Sequence, residues 1–114
     1  MKTTIWHNPR CSKSRAGLKY LEEKGIDHEV IRYLDTPPSV EELTEVLQKL
    51  GMVPRELMRT KEAIYRELGL KDVTDDAALI AAMAEHPKLI ERPVVIRGNK
   101  AVVARPAERI DEVL

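Results

Sequence analysis

The run Thr3-Thr4-Ile5-Trp6-His7-Asn8-Pro9-Arg10-Cys11-Ser12-Lys13-Ser14-Arg15 passes from one backbone preference to another within a short span. Thr3 to Trp6 are β-branched or aromatic and favour a strand. His7 to Arg10 contain Asn-Pro, a pair that favours a turn. From Ser12 to Lys24, Leu18 and Leu21 recur at helical spacing with charges opposite, and Gly25 supplies a stop. The segment reads as strand, loop and helix, with Cys11 at the junction.

Working outward, His28 to Tyr33 reads as a second strand. The helix-sized connection before it implies a right-handed crossover to a parallel neighbour. Thr36-Pro37-Pro38 interrupts the chain. Ser39 and Glu42 then form a capping box ahead of Leu43, Val46, Leu47 and Leu50, a stripe that ends at Gly51. Pro54 to Met58 and Lys61 to Leu68 read as short helices around Arg59-Thr60, and Asp75 to Glu85 as a longer helix with Leu79, Ile80 and Met83 inward. Pro93 to Ile96 and Lys100 to Ala104 flank Gly98-Asn99, a hairpin turn. Ala107 to Leu114 closes the chain as a helix with Ile110, Val113 and Leu114 on one face. The order β-α-β, helical block, β-β-α describes an α/β domain over residues 1–114, whose mixed sheet combines a parallel pair with an antiparallel hairpin and carries a helical insertion in the middle.

A chain of 114 residues is the length of one domain and can bury about two-thirds of its unfolded surface. Lys plus Arg and Asp plus Glu both number 19, so the charge balance directs the chain to neither nucleic acid nor an anionic membrane, and any anion site must be local. No apolar run is long enough to span a bilayer, and Lys2 leads straight into a strand without a signal-peptide core. A cytoplasmic monomer is the expectation. The lone cysteine forms no intramolecular disulfide and suits a reducing compartment.

A thiol attacks as thiolate, and helix N-termini and neighbouring cations lower its pKa. Cys11 has both within reach: the free N–H groups of Ser12, Lys13 and Ser14, and the cations Arg10, Lys13 and Arg15, of which Arg15 is a candidate anion ligand. Ser14 adds a hydroxyl. His7 is placed either to shuttle a proton or to hold the loop. Cysteine is often a small buried apolar residue, but the position between Pro9 and a Ser-Lys-Ser run argues for a reactive one. One Cys with the scattered His7, His28 and His86 lacks zinc-ligand spacing, so no metal is expected. Ser14 stands where a dithiol oxidoreductase has its second cysteine, so an outside thiol must resolve any covalent intermediate. The Cys11-to-Arg15 spacing is too short for a tyrosine-phosphatase loop.

The loop His7 to Arg15, together with Leu34-Asp35-Thr36-Pro37-Pro38, Glu56-Leu57-Met58-Arg59, Tyr65 to Leu70, His86 to Pro93 and Ala104-Arg105-Pro106, resembles the glutaredoxin-coupled arsenate reductase family, and its short branch in particular. The resemblance implies a thioredoxin-like fold in which Cys11 attacks arsenate and forms a sulfur–arsenic adduct. Glutathione joins that adduct as co-substrate and glutaredoxin supplies the next reducing equivalent, with no tightly bound cofactor. It also implies that Arg59, Arg92 and Arg105 bind the oxyanion, that His7 assists, and that Arg92–Pro93 is a cis bond facing the thiol. Guanidinium forks suit a tetrahedral oxyanion. Lys13 departs from the small residue and Thr that familiar plasmid-type members place between Cys and Ser, and the C-terminus is short.

Two other readings share this pattern. A non-enzymatic transcription regulator of the same family shape would use a Cys-x-x-Cys switch, which Ser14 removes, and would not need three matched arginines. A monothiol glutathione-dependent disulfide reductase would use the same Cys11, with the arginines on glutathione carboxylates.

Overall fold

The central strand β1 (Thr3–Trp6) and the edge strand β2 (Glu29–Ile31) pair in parallel, with Ile5 opposite Val30. They are joined by helix α1 (Ser12–Glu23). In the computed structural model, which describes residues 1–114, the chain forms two compact units, Met1–Thr36 with Arg92–Leu114, and Pro37–Glu91. In the first, β3 (Val94–Arg97) lies antiparallel to β1 and β4 (Lys100–Val103) antiparallel to β3, so the sheet order is β2-β1-β3-β4. This is the mixed α/β sheet expected from the order of the strands.

The register explains the burial. Ile5, Val95 and Val102 stand opposite one another and form a core with Leu21, Ala104, Ile110 and Val113. One residue along, Trp6, Val94 and Val103 form the next row and are also buried. Both faces of the sheet are therefore apolar, as a strand covered on both sides requires. The hairpin turn has Gly98 at φ 60°, with no positive φ at Asn99, which places the glycine at the first turn position. Tyr20 Oη donates to the Asp111 carboxylate at 2.9 Å, fastening α1 to the C-terminal segment.

Two elements of this unit differ from expectation. The second strand is shorter than His28 to Tyr33 because the carbonyl of Arg32 accepts from Asp35 and Thr36, closing a turn in which Tyr33 is buried. The C-terminal segment Ala107–Val113 is a 3-10 helix. At three residues per turn, Ile110 and Val113 eclipse and face the core, while Leu114 rotates away and is 44% exposed.

In the second unit, α2 (Val40–Leu50) begins as its sequence requires: Ser39 Oγ accepts from the Glu42 N–H and Glu42 Oε1 from the Ser39 N–H, each at 3.1 Å. Gly51 ends it in the left-handed region. Helix α3 (Ala63–Glu67) and helix α4 (Asp76–Glu85) follow, with Leu79, Ile80 and Met83 buried. Pro54–Leu57 is a 3-10 turn that stops one residue short of Met58, because Met58 forms an antiparallel bridge with Ile90. Arg55 ties the unit together, donating to the carbonyls of Leu70 and Val73 and to Tyr65 Oη.

Helix α1 approaches β3 closely at Gly17, where an added Cβ would lie 2.8 Å from Pro93 Cγ. A proline ring cannot swing aside like the end of a long side chain. Gly17→Ala is therefore expected to destabilise the fold by about 1–3 kcal/mol, as forced overpacking does. Urea denaturation of the variant checks this, and unchanged stability would show that α1 and Pro93 have room to part.

Candidate active site

Cys11 occupies the N-cap of α1 with extended backbone (φ −98°, ψ 124°). The loop that presents it is organised by Asn8. Asn8 Oδ1 accepts from the Arg10 N–H at 3.0 Å, its carbonyl accepts from the Cys11 N–H at 3.0 Å, and its own N–H donates to Ser14 Oγ at 2.9 Å. Asparagine before proline favours such a turn because its side chain caps the backbone two residues on. Arg15 crosses the loop from the helix side, donating from Nη1 to the Pro9 carbonyl at 2.9 Å. Arg15, expected to be an anion ligand, thus also holds the loop's shape.

The histidine and the serine meet behind this loop. His7 Nδ1 and Ser14 Oγ share a hydrogen bond of 2.7 Å, with Ser14 fully buried and His7 nearly so. The His7 N–H continues the sheet by donating to the Ile31 carbonyl at 2.8 Å. Burial and the charge of Arg32 lower the His7 pKa, hydrogen bonding at Ser14 opposes them, and Arg15 adds a smaller lowering. The net effect favours the neutral imidazole. Of the two roles open to it in sequence, the geometry displays the loop-holding one.

Cys11 is partly exposed, as a thiol that meets a substrate must be. Burial acts to raise its pKa. The Ser14 N–H, the charge of Arg92, the Lys13 N–H and a hydrogen bond from Arg92 act the other way and together bring the thiol below its ordinary value. The Cys11 side chain makes no helix-capping hydrogen bond, and the amides at the helix start favour its thiolate. Of the amides expected to face it, those of Lys13 and Ser14 act on the sulfur. Arg92, two residues before β3, is a cation that acts on it.

Arg92 and Arg105 both precede cis prolines, Pro93 and Pro106. The first cis bond follows the family resemblance, and nothing in the sequence marked the second. Arg105 Nη1 donates to the Arg92 carbonyl at 3.2 Å, bracing the residue whose side chain reaches Cys11. Arg59 belongs to the second unit and has two carboxylate partners there, Glu62 and, at 3.6 Å from Nε, Glu91. The structural parts of Asn8, Arg32, Glu62 and Glu91 were not read from sequence. Only Asn8, as half of Asn-Pro, carried a signal.

A partly exposed thiol with a lowered pKa beside a guanidinium is equipped for nucleophilic attack on an anionic electrophile. No three His, Cys, Asp or Glu side chains come close enough to hold a metal ion. Arg92→Ala removes a cation that favours the thiolate, so the Cys11 pKa should rise. The pH profile of iodoacetamide alkylation should then move to higher pH than in the unaltered protein, because less thiolate is present at each pH. Superimposable profiles would remove Arg92 from the account.

The ArsC family pattern matches residues 6–113. A protein of Neisseria meningitidis named arsenate reductase is 54% identical over 112 residues, covering 96% of each chain. An Escherichia coli arsenate reductase is 41% identical over 97% of this chain and 79% of its own length. The solved structure described as an arsenate reductase from Vibrio cholerae superposes with a TM-score of 0.96 at 53% identity, over 100% of this chain and 98% of the other. With Cys11, Arg92 and Arg105 gathered at one end of a thioredoxin-like sheet, and with these matches running through nearly the whole sequence, the chain belongs to the ArsC family.

Proposed function

We propose that the protein is a cytoplasmic enzyme that reduces arsenate to arsenite through Cys11, with glutathione as co-substrate, glutaredoxin as the protein reductant and no tightly bound cofactor. The observation that carries this reading is a lone cysteine at a helix N-cap, its pKa lowered against the effect of burial by the Ser14 amide and by Arg92. The relatives named arsenate reductase supply the substrate. No helix is long and apolar enough to cross a membrane.

In the first step the Cys11 thiolate bonds to arsenic and an arsenate oxygen leaves, taking protons to become water. Glutathione then adds to arsenic as a second thiolate and another oxygen departs as water. A glutaredoxin thiol attacks the glutathione sulfur, and the sulfur–arsenic electron pair stays on arsenic, which passes from the five- to the three-valent state. Water cleaves the remaining bond to Cys11, releasing arsenite and restoring the thiol. In total, two thiols become one disulfide.

Arg92 and Arg105, with Arg59 and Arg15, are assigned to the oxyanion, because planar guanidinium groups match charge spread over several oxygens. For Arg59 the assignment rests on the sequence motif. His7 and Ser14 serve the nucleophile by holding its loop.

The test is NADPH consumption coupled to glutathione, glutaredoxin and glutathione reductase, with and without arsenate. Arsenate-dependent turnover should occur and should vanish in Cys11→Ser, with circular dichroism unchanged, since a hydroxyl is nearly isosteric but a far weaker nucleophile. Turnover with a small disulfide and none with arsenate would replace this reading by a disulfide reductase.

A further inference from the structure

Arg59 is held where two short segments pair. The Arg59 N–H donates to the Leu89 carbonyl at 2.7 Å and the Glu91 N–H to the Leu57 carbonyl at 2.8 Å, on either side of the Met58–Ile90 bridge. This antiparallel register sets Glu91 across from Arg59, and its carboxylate lies 3.6 Å from Nε. Glu62 takes the other side, accepting from Nη1. A guanidinium presents two forks, Nη1 with Nη2 and Nε with Nη2, and a bidentate oxyanion needs both nitrogens of one of them. Each fork of Arg59 already has a carboxylate on its unshared nitrogen.

From this we infer that Glu62 and Glu91 act as built-in competitors for Arg59, so that an oxyanion gains a two-point grip on this arginine only by displacing one of them. The inference rests on the proposed role of Arg59 in anion binding. The side chains of Arg59, Glu62 and Glu91 are 30%, 27% and 32% exposed, so both pairs are only partly buried and open to a competing anion from solvent. Their effect is to weaken binding of any anion that uses this arginine, the reverse of a carboxylate that orients an arginine for its substrate. Removing the Glu62 charge should therefore tighten binding by about two- to fivefold, the range expected for losing one partly exposed pair. Glu62 stands at the N-cap of α3 without making a side-chain cap, so its neutralisation leaves the helix start unchanged.

The experiment follows the Arg59 Nε–Hε resonance by NMR while sodium arsenate is titrated into the unaltered protein and into Glu62→Gln, with Arg59→Lys identifying the signal. This readout does not depend on turnover. The expected result is saturation at about two- to fivefold lower arsenate in Glu62→Gln, and Glu91→Gln tests the other fork in the same way. Equal or weaker binding in both variants would overturn the competitor inference and leave Arg59 as an anion ligand. An Arg59 signal indifferent to arsenate in every form would overturn both the inference and the role of Arg59, without touching the chemistry of Cys11.

Discussion

A thiol at the start of a helix is pulled in two directions, and the balance at Cys11 organises the site. Partial burial favours the neutral thiol, while the amides of Lys13 and Ser14 and the guanidinium of Arg92 favour the thiolate and prevail. For the amides to face the sulfur, α1 must begin immediately after Cys11, and the Asn8 turn and the buried Ser14 hydroxyl provide for that. For Arg92 to reach it, β3 must lie beside β1, and the register that pairs Trp6 with Val94 puts it there. The close contact of Gly17 with the Pro93 ring belongs to the same constraint.

The arginines divide the work. Arg92 acts on the thiol, Arg105 braces the Arg92 backbone, and Arg15 spans the loop to Pro9. Arg59 stands apart in its attachments, with a carboxylate on each fork. A site that gripped every oxyanion as tightly as its arginines allow would fill with unreactive anions. Under the proposed function, competing carboxylates would moderate that grip, while the covalent step at sulfur would be open only to an anion whose central atom accepts a thiolate.

Much of this was legible in the sequence, because it rests on local signals. The capping box at Ser39 and Glu42, the glycine after α2 and the Gly98-Asn99 turn each specify backbone within a few residues, and each took the form expected. The strand-loop-helix opening placed Cys11 at the helix N-cap for the same reason. What escaped depends on partners distant in sequence or on fine helix geometry. The Met58–Ile90 bridge joins segments that show no strand pattern, so the meeting of Arg59 with Glu91 was invisible. The 3-10 winding of Ala107–Val113 turned Leu114 outward, although Ile110 and Val113 were placed correctly. That Arg92 acts on the Cys11 sulfur follows from the pairing of β1 with β3, and only the family resemblance anticipated it.

The central claim is that the Cys11 sulfur itself bonds to arsenic. Intact-mass measurement of the protein incubated with arsenate and glutathione, with glutaredoxin withheld so that the next step cannot proceed, tests it most directly. The account predicts a population heavier by one arsenic and one glutathione, absent in Cys11→Ser, and its loss once glutaredoxin is added. A thiol that stays unmodified under these conditions, in protein that turns over arsenate when glutaredoxin is present, would contradict it.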